Sequence, residues 1–364
     1  MPTPQDESHL KSNLNYRVFR SQAEVKEEVE RRGKQLVIRN GNVYDVQEFL
    51  DFIKHPGGSK VIEKEFGNDI GAAMIKNDHS HAAYDLLEMH KIGYIEGAES
   101  GDSIGGRGVN ERLEKLGLDS KSLESVMNKL DFSHGLLYQI WSKELTFDEY
   151  MAFIHDPKVL QRSVRLFDSD FCEAFTKTNW KAIVAFWLPF VMLELYWGWN
   201  LQRSFLLQVV LFFLGWFAWS FIEYMIHRFI FHYQETNREA GRVMRTIHFL
   251  FHGIHHAYPL DKERLVFPIL PACAVVPFIT YSILIPLGKP DWGYVMAAGG
   301  LFGYIIYDVT HFMIHHSKGT NFYLGWVKRT HNKHHYRNPV LGFGVSSSFW
   351  DHVFGTLIPE EKET

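Results

Sequence analysis

The sequence predicts a small α+β domain followed by an all-α integral membrane domain with four transmembrane helices and a histidine-rich cap on the cytosolic side. Three observations lead to this fold class. Short strand-like and helical patterns alternate between residues 36 and 96. Long uncharged runs rich in Phe, Leu, Val and Trp lie between residues 182 and 310. Four clusters of histidine accompany these runs and hold twelve of the twenty histidines.

The composition excludes several classes of protein. The net charge is -4 and no basic stripe is visible, so we expect no nucleic-acid partner. Two cysteines, Cys172 and Cys273, supply neither a disulfide framework nor a thiolate metal site. The first residues, MPTPQDESHL, lack a basic segment followed by an apolar core. We therefore expect no cleaved signal peptide and a cytosolic N-terminus.

The pattern of composition divides the chain into four segments. Residues 11–96 form the small α+β domain, and residues 97–115 are expected to be a flexible linker because GAESGDSIGGRG is rich in Gly and Ser. Residues 116–180 are helical in pattern but too polar to span a bilayer, so we expect helices along the membrane surface. Residues 181–358 contain the apolar runs and the histidine clusters.

The N-terminal domain contains a pair of histidines suited to haem. The motif HPGG places His55 directly before a tight glycine turn, and His79 follows 24 residues later in a helical segment. Two axial histidines leave a haem iron with no open position, which indicates electron transfer rather than oxygen chemistry. His81 is an alternative second ligand.

Four candidate membrane spans lie in the last segment: 182–193, 204–222, 265–288 and 292–307. The first is the weakest because Glu194 interrupts it. The third contains four prolines and should be kinked or broken. The fourth is rich in glycine, which suits close helix packing.

The connections between the spans fix the expected topology. Residues 200–204 and 288–292 are too short to be anything but turns, so all four histidine clusters should emerge on the side that holds the N-terminal domain. Segments 226–264 and 311–364 carry six Lys and Arg each, whereas the two turns carry one each. By the positive-inside rule, the shared side is cytosolic.

The spacing within the clusters predicts shared metal sites. Side chains at i, i+3 and i+4 lie on one helical face. Two triplets have this spacing, and each is expected to converge on one small volume: His252, His255 and His256, and His331, His334 and His335. His311 and His315 are one turn apart. His227 and His232, five residues apart, do not share a face of an α-helix, so we expect a helix end or a bulge there.

These ten imidazoles are enough for two metal ions and too many for one. Nitrogen ligation suits iron, zinc or copper, and a redox donor in the same chain favours iron. His248 and His316 break the repeated pattern and are not expected to be ligands. Glu223 and Asp308 each lie shortly before a histidine and are predicted to orient a ligand imidazole.

Several stretches of the sequence resemble known protein families. VYDVQEFLDFIKHPGGSKVI and DHSHAAYDLLEMHKIGYI resemble a cytochrome b5 domain. This resemblance implies haem b held by His55 and His79, and the distance from His79 to the closing IGY favours it over His81. The remainder resembles the membrane fatty acid hydroxylases through HGIHH, HFMIHH, HNKHH, RLFDSD and TKTNW, and the fusion order resembles the sphingolipid fatty acid 2-hydroxylases.

The resemblance implies a di-metal centre, with iron in the working enzyme although zinc can occupy it. The ten ligands carried over are His227, His232, His252, His255, His256, His311, His315, His331, His334 and His335. His316 stays open as an alternative to His315, because the gap between the clusters varies.

The implied activity is a dioxygen-dependent monooxygenase reaction at carbon 2 of long or very long acyl chains destined for or held in sphingolipids, including ceramide. Electrons would come from the fused cytochrome b5 domain, supplied by an NAD(P)H-dependent cytochrome reductase. The implied location is the endoplasmic reticulum membrane, crossed several times, with the N-terminus, the histidine clusters and the C-terminus in the cytosol.

Three other functions stay open on the sequence. A desaturase fused to cytochrome b5 would use the same histidines to form a double bond, and a sterol oxidase belongs to the same class. A membrane-tethered electron carrier with a structural metal site would consume no dioxygen when reduced. Product analysis distinguishes these functions.

Overall fold

The computed structural model describes residues 16–52, 55, 58–77, 79, 81–97, 113–158, 163–201, 203–279, 290–317 and 322–359. The chain divides into two compact units, Met1–Arg112 and Leu113–Thr364. Most of the predicted linker at 97–115 lies outside the described residues.

The first unit is a mixed sheet with helices, as predicted. Its strands are Arg17–Phe19 (β1), Leu36–Arg39 (β2), Asn42–Asp45 (β3) and Lys91–Ile95 (β4), and its helices are Gln22–Arg32 (α1), Gln47–Phe52 (α2), Ser59–Glu63 (α3), Gly71–Lys76 (α4) and His81–Met89 (α5). The strand order is β1-β4-β3-β2, with β1 parallel to β4 and the other pairs antiparallel. Asn40 and Gly41 both have positive φ, the conformation that a tight hairpin turn between β2 and β3 requires.

The second unit is helical. Its helices are Ser120–Lys129 (α6), Leu136–Ser142 (α7), Phe147–Ile154 (α8), Asp170–Ala174 (α9), Trp180–Leu201 (α10), Phe205–Ile226 (α11), Tyr233–Thr236 (α12), Arg242–His248 (α13), Ile254–Ala257 (α14), Ile269–Ile279 (α15), Pro290–His316 (α16), Phe322–Tyr336 (α17) and Phe349–Phe354 (α18), with π-helical turns at His227–Phe231 (π1) and Phe249–Gly253 (π2). The segment 116–180 is helical as predicted. Within it, α8 is buried and packs against α14, which carries part of the second histidine cluster.

Close packing of three long helices forms the apolar core. Both α10 and α11 pack against α16. A Cβ at Gly215 would collide with the carbonyl oxygen of Met296, and one at Gly299 with that of Phe212. Glycine therefore allows the backbones of α11 and α16 to touch, which confirms the packing role predicted for the glycine-rich run.

Two of the four predicted spans meet the length and composition of a membrane helix in the structure. These are Trp180–Leu201 and Phe205–Phe231. The third apolar run forms only the 11-residue helix Ile269–Ile279, and residues 280–289 lie outside the described part of the chain. The fourth run is part of the 27-residue helix Pro290–His316.

Candidate metal centre

The four segments that contain the histidine clusters lie together in one buried region. His227 is the first residue of π1, and His232 directly follows π1. The backbone N–H of His232 donates a hydrogen bond to the carbonyl of His227. The i to i+5 bond confirms the bulge predicted for this pair. The second cluster runs through π2 and α14, the third ends α16 and the fourth lies on α17.

The first group of ligand atoms consists of His227, His232, His252, His256 and His334, whose ligand nitrogens all lie within 4.8 Å of one another. The Nε2 atoms of His227, His232 and His252 form a triangle with sides of 3.1, 3.0 and 3.1 Å. The Nε2 of His256 lies 2.9 Å from that of His252. All five side chains are buried.

The second group consists of His255, His311, His315, His331 and His335. Their ligand nitrogens also lie within 4.8 Å of one another. The Nε2 of His331 lies 3.1 Å from that of His311, 3.0 Å from that of His315 and 2.9 Å from that of His335. The Nε2 of His255 lies 3.0 Å from that of His335.

These distances fit bound metal ions. Two nitrogens bonded at about 2.1 Å to one ion and separated by a right angle are about 3.0 Å apart. A triangle of ring nitrogens cannot be satisfied by protons alone, because each neutral imidazole carries one N–H and one lone pair on separate atoms. A shared cation removes the repulsion between the lone pairs that face one another.

The triplets do not converge as predicted. His252 and His256 belong to the first group and His255 to the second, whereas His331 and His335 belong to the second group and His334 to the first. The prediction of one volume per triplet is therefore wrong. Successive residues of an α-helix are rotated by about 100° about the helix axis. The side chains at i+3 and i+4 therefore lie on either side of the side chain at i. The i, i+4 pair contacts one group, and the histidine at i+3 contacts the other.

The two uncertain histidines lie outside both groups. His315, and not His316, contributes to the second group, and the ring of His316 packs on Phe312 at 4.6 Å. His248 is buried and contacts the hydroxyl of Tyr150 at 2.7 Å between O and Nδ1.

Backbone carbonyls orient two ligands of the first group. The Nδ1–H of His227 donates to the carbonyl of Phe343 at 2.5 Å, and the Nδ1–H of His334 donates to that of Leu341 at 2.8 Å. Each bond leaves the lone pair on Nε2, which faces the group. This loop could not be predicted from the sequence, because a backbone carbonyl has no sequence signature.

The predicted carboxylates have other partners. Glu223 accepts hydrogen bonds from Val345 and Ser346, and Asp308 accepts one from the N–H of Phe267. The carboxylate next to a ligand is Glu235, whose Oε1 lies 3.1 Å from Nδ1 of His232. Glu235 was not among the predicted residues, although its position three residues after His232 was a usable signal.

Burial favours the neutral form of His252, His255 and His256. Burial lowers the pKa of His255 to about 3, and it lowers the pKa of His252 and His256 well below the ordinary value, with further lowering from neighbouring imidazoles. Neutral imidazole is the form that binds a metal ion. The site is therefore prepared to accept metal at neutral pH.

In the first unit, the Nε2 atoms of His55 and His79 face each other at 3.5 Å, and the rings are 27° from parallel. The Nδ1–H of His79 donates to the carbonyl of Met74 at 2.9 Å, so its lone pair is on Nε2. Two nitrogens bonded to opposite sides of one iron would be about 4 Å apart, close to this spacing. The alternative ligand His81 begins α5, and its side chain lies outside the described part of the structure.

Family models match both units of the chain. Residues 21–96 match the cytochrome b5-like heme/steroid binding domain, and residues 212–356 match the fatty acid hydroxylase family. The fold and the histidine groups thus define a class of protein, a cytochrome b5-like domain followed by a helical hydroxylase domain.

Individual relatives narrow the class. The chain is 33% identical to fatty acid 2-hydroxylase of Rattus norvegicus, with 92% of this chain and 95% of the relative covered. It is 36% identical to the ceramide very long chain fatty acid hydroxylase SCS7 of Saccharomyces cerevisiae, with 88% and 89% covered. A solved structure described as full length scs7p, with only the hydroxylase domain visible, is 39% identical with a TM-score of 0.60 and covers 68% of this chain and 92% of its own. The chain belongs to the fatty acid 2-hydroxylase family.

Proposed function

We propose that this protein inserts one oxygen atom of dioxygen at carbon 2 of long or very long acyl chains destined for or held in sphingolipids. One C–H bond, one dioxygen, two electrons and two protons give one C–OH group and one water. The observation that carries the proposal is the pair of buried five-histidine groups in a chain with its own cytochrome b5-like domain. Relatives named for 2-hydroxylation of fatty acids and of the fatty acyl group of dihydroceramide support the substrate class.

We assign one ion to each histidine group and haem b to the first unit. The first ion would be held by His227, His232, His252, His256 and His334, the second by His255, His311, His315, His331 and His335, and the haem by His55 and His79. We expect iron in the active enzyme, although zinc also accepts imidazole ligands. When bound, the two ions supply the electron transfer that activates dioxygen toward an unactivated C–H bond.

The protein's own residues give this reaction a dry and incompletely closed site. The ten histidines are at most 5% exposed, so bulk water is excluded from their inner face. Each group offers five ring nitrogens, which would hold one ion and leave room for a further ligand. In contrast, haem iron held by two histidines would have no free coordination position for dioxygen. The first unit would then be restricted to electron transfer.

The membrane arrangement supports an acyl substrate that stays in the bilayer. We propose four spans in the endoplasmic reticulum membrane, with the N-terminus, the histidine clusters and the C-terminus in the cytosol. Two apolar helices and the excess of Lys and Arg beside the histidine clusters support this topology. Cytosolic electrons would come from an NAD(P)H-dependent cytochrome reductase, and the acyl chain would reach the site from the apolar phase.

Lipid mass spectrometry tests the proposal in cells that lack any other 2-hydroxylase. The intact chain should produce 2-hydroxy acyl chains in sphingolipids, and a variant with His255→Ala and His256→Ala should not, because it removes one ligand from each group. New double bonds would instead indicate a desaturase. Neither product, together with bound haem and no dioxygen consumption on reduction, would indicate an electron carrier with a structural metal site.

A further inference from the structure

A buried carboxylate, Glu235, lies behind the first histidine group. Its side chain is 3% exposed. Its Oε1 lies 3.1 Å from Nδ1 of His232, 3.4 Å from Nε2 of His248 and 3.6 Å from Nε2 of His155. Within the described part of the chain, these three nitrogens and both oxygens of Glu235 form no hydrogen bond with any other group. The carboxylate is therefore the polar group nearest to all three imidazoles.

Further contacts connect these imidazoles to α8. The hydroxyl of Tyr150 donates to the carbonyl of Arg245 at 3.3 Å and lies 2.7 Å from Nδ1 of His248. Tyr150 lies on α8 and His155 directly follows it, so the network connects α8 to the histidine clusters.

The surroundings of Glu235 suit a carboxylate. A buried carboxylate without polar neighbours would be strongly disfavoured, and a carboxylate has room for about four hydrogen bonds. Imidazole nitrogens of His232, His248 and His155, all within 3.6 Å of Oε1, supply these neighbours.

We propose that Glu235 is a positioning residue for the metal ion of the first group. With metal bound, its Oε1 accepts the Nδ1–H of His232, which fixes that ring's orientation and leaves its lone pair on Nε2, the atom that faces His227 and His252. Carboxylate partners of this kind make a ligand imidazole more basic and hold it in place. Among the described residues, carboxylates lie within 4 Å of ring nitrogens of His134, His155, His232 and His248, and none of these belongs to the second group.

The proposal rests on the proposed metal centre, and zinc release from the full-length chain tests it. The purified protein is loaded with zinc alone, and the transfer of zinc to a chromophoric chelator is followed over time. The intact protein should release two equivalents. His334→Ala and His315→Ala each remove one ligand, from the first and the second group, and so show which kinetic phase belongs to which group.

Glu235→Gln keeps the volume of the side chain and removes its charge, and Glu235→Ala removes both. Both variants should release zinc from the first group about 10- to 100-fold faster, the range typical for loss of such a partner, and the second phase should change less than about twofold. Glu239→Gln, four residues further along and exposed, is the matched control and should match the intact protein.

The outcomes separate the inference from a purely structural role and from failure of the metal centre. Release by Glu235→Gln at the intact rate, or equal acceleration of both phases, would overturn the inference, because a packing role alone tolerates Gln and general loosening affects both groups. Tryptophan fluorescence melting verifies that each variant is folded, and Glu235→Gln carries the test if Glu235→Ala is not. An intact protein that binds no zinc would contradict the metal centre itself.

Discussion

At the residue scale, the chemistry depends on which nitrogen of each imidazole faces inward. A neutral imidazole has one N–H and one lone pair. His227 and His334 donate from Nδ1 to carbonyls of the 341–343 loop, and His79 donates from Nδ1 to the carbonyl of Met74. The lone pair is therefore on Nε2 in both kinds of site. Backbone carbonyls select the ligand atom, and Glu235 has the same effect for one further histidine.

Acid should destabilise the metal-free second unit. The pKa of His255 is about 3 in the folded protein because the ring is buried, against about 6.5 in an unfolded chain. A lowered folded pKa means that the stability is present above about pH 6.5 and is lost as the pH falls toward about 3. The expected loss is about 1.4 kcal/mol per pH unit for each such histidine.

Tryptophan fluorescence measures this loss, because all ten tryptophans lie after residue 112. The melting temperature of the metal-free protein should fall steadily between about pH 7 and about pH 5. A melting temperature that does not change across this window would contradict the neutral, buried state of the histidines.

The haem ligands can be distinguished by single substitutions. His79→Ala should lower haem content by at least about tenfold, because it removes one of the two ring nitrogens, 3.5 Å apart, that we propose hold the haem iron. His81→Ala should retain haem with an unchanged absorbance spectrum. The reverse pattern would make His81 the ligand. Both variants should keep their zinc, since the ten histidines belong to the other unit.

At the element scale, two π-helical turns and one loop arrange the ligands. The i to i+5 bond in π1 brings positions five apart onto one face, which is why His227 and His232 reach the same group. The C-terminal loop approaches from the other side, where Asp351 accepts the N–H groups of Phe343 and Gly344 at 2.9 and 2.8 Å. The loop geometry thus determines where the carbonyl partner of His227 lies.

Gly344→Ala should disturb the first metal group from a distance. A Cβ there would collide with the carbonyl oxygen of Ser347 and contact the Asp351 carboxylate, so the loop must move. We expect a loss of about 1–3 kcal/mol in stability and faster zinc release from the first group. Gly241→Ala is the control, since its Cβ would meet nothing within 4 Å. Equal melting temperatures and zinc release for the two variants would contradict the role of the loop.

At the scale of the whole molecule, one chain joins an electron-transfer unit to a hydroxylase unit. The two units have separate folds, one a mixed sheet and the other helical. Joining two units in one chain raises the local concentration of each for the other to about the millimolar range. Hydroxylation should therefore depend on the covalent connection at low protein concentration.

Cleavage between the units should slow hydroxylation without unloading either site. A protease site inserted between residues 97 and 113 allows the cut after purification. At about micromolar protein, the rate should fall about 10- to 100-fold, because electron delivery becomes bimolecular. Adding excess first unit should restore the rate. An unchanged rate after cleavage would show that electrons reach the second unit by another route.

Much of this protein follows from its sequence. The mixed sheet, the helical second unit and the bulge between His227 and His232 were predicted from local patterns, since residue periodicity reflects nearest neighbours along the chain. The ten histidines that form the two groups were also identified, because such a density of imidazoles in four short clusters has few other uses. Family membership follows from the same motifs.

The tertiary structure decided how those histidines are shared and what supports them. Helical spacing alone placed His252, His255 and His256 together, but the other segments surround that helix on two sides and divide the triplet between two groups. The partners of the ligands come from distant parts of the chain: His227 and Phe343, whose carbonyl it contacts, are 116 positions apart. Sequence patterns record local spacing, whereas the approach of a loop, a carbonyl or the Glu235 carboxylate depends on packing between segments that are far apart in the chain.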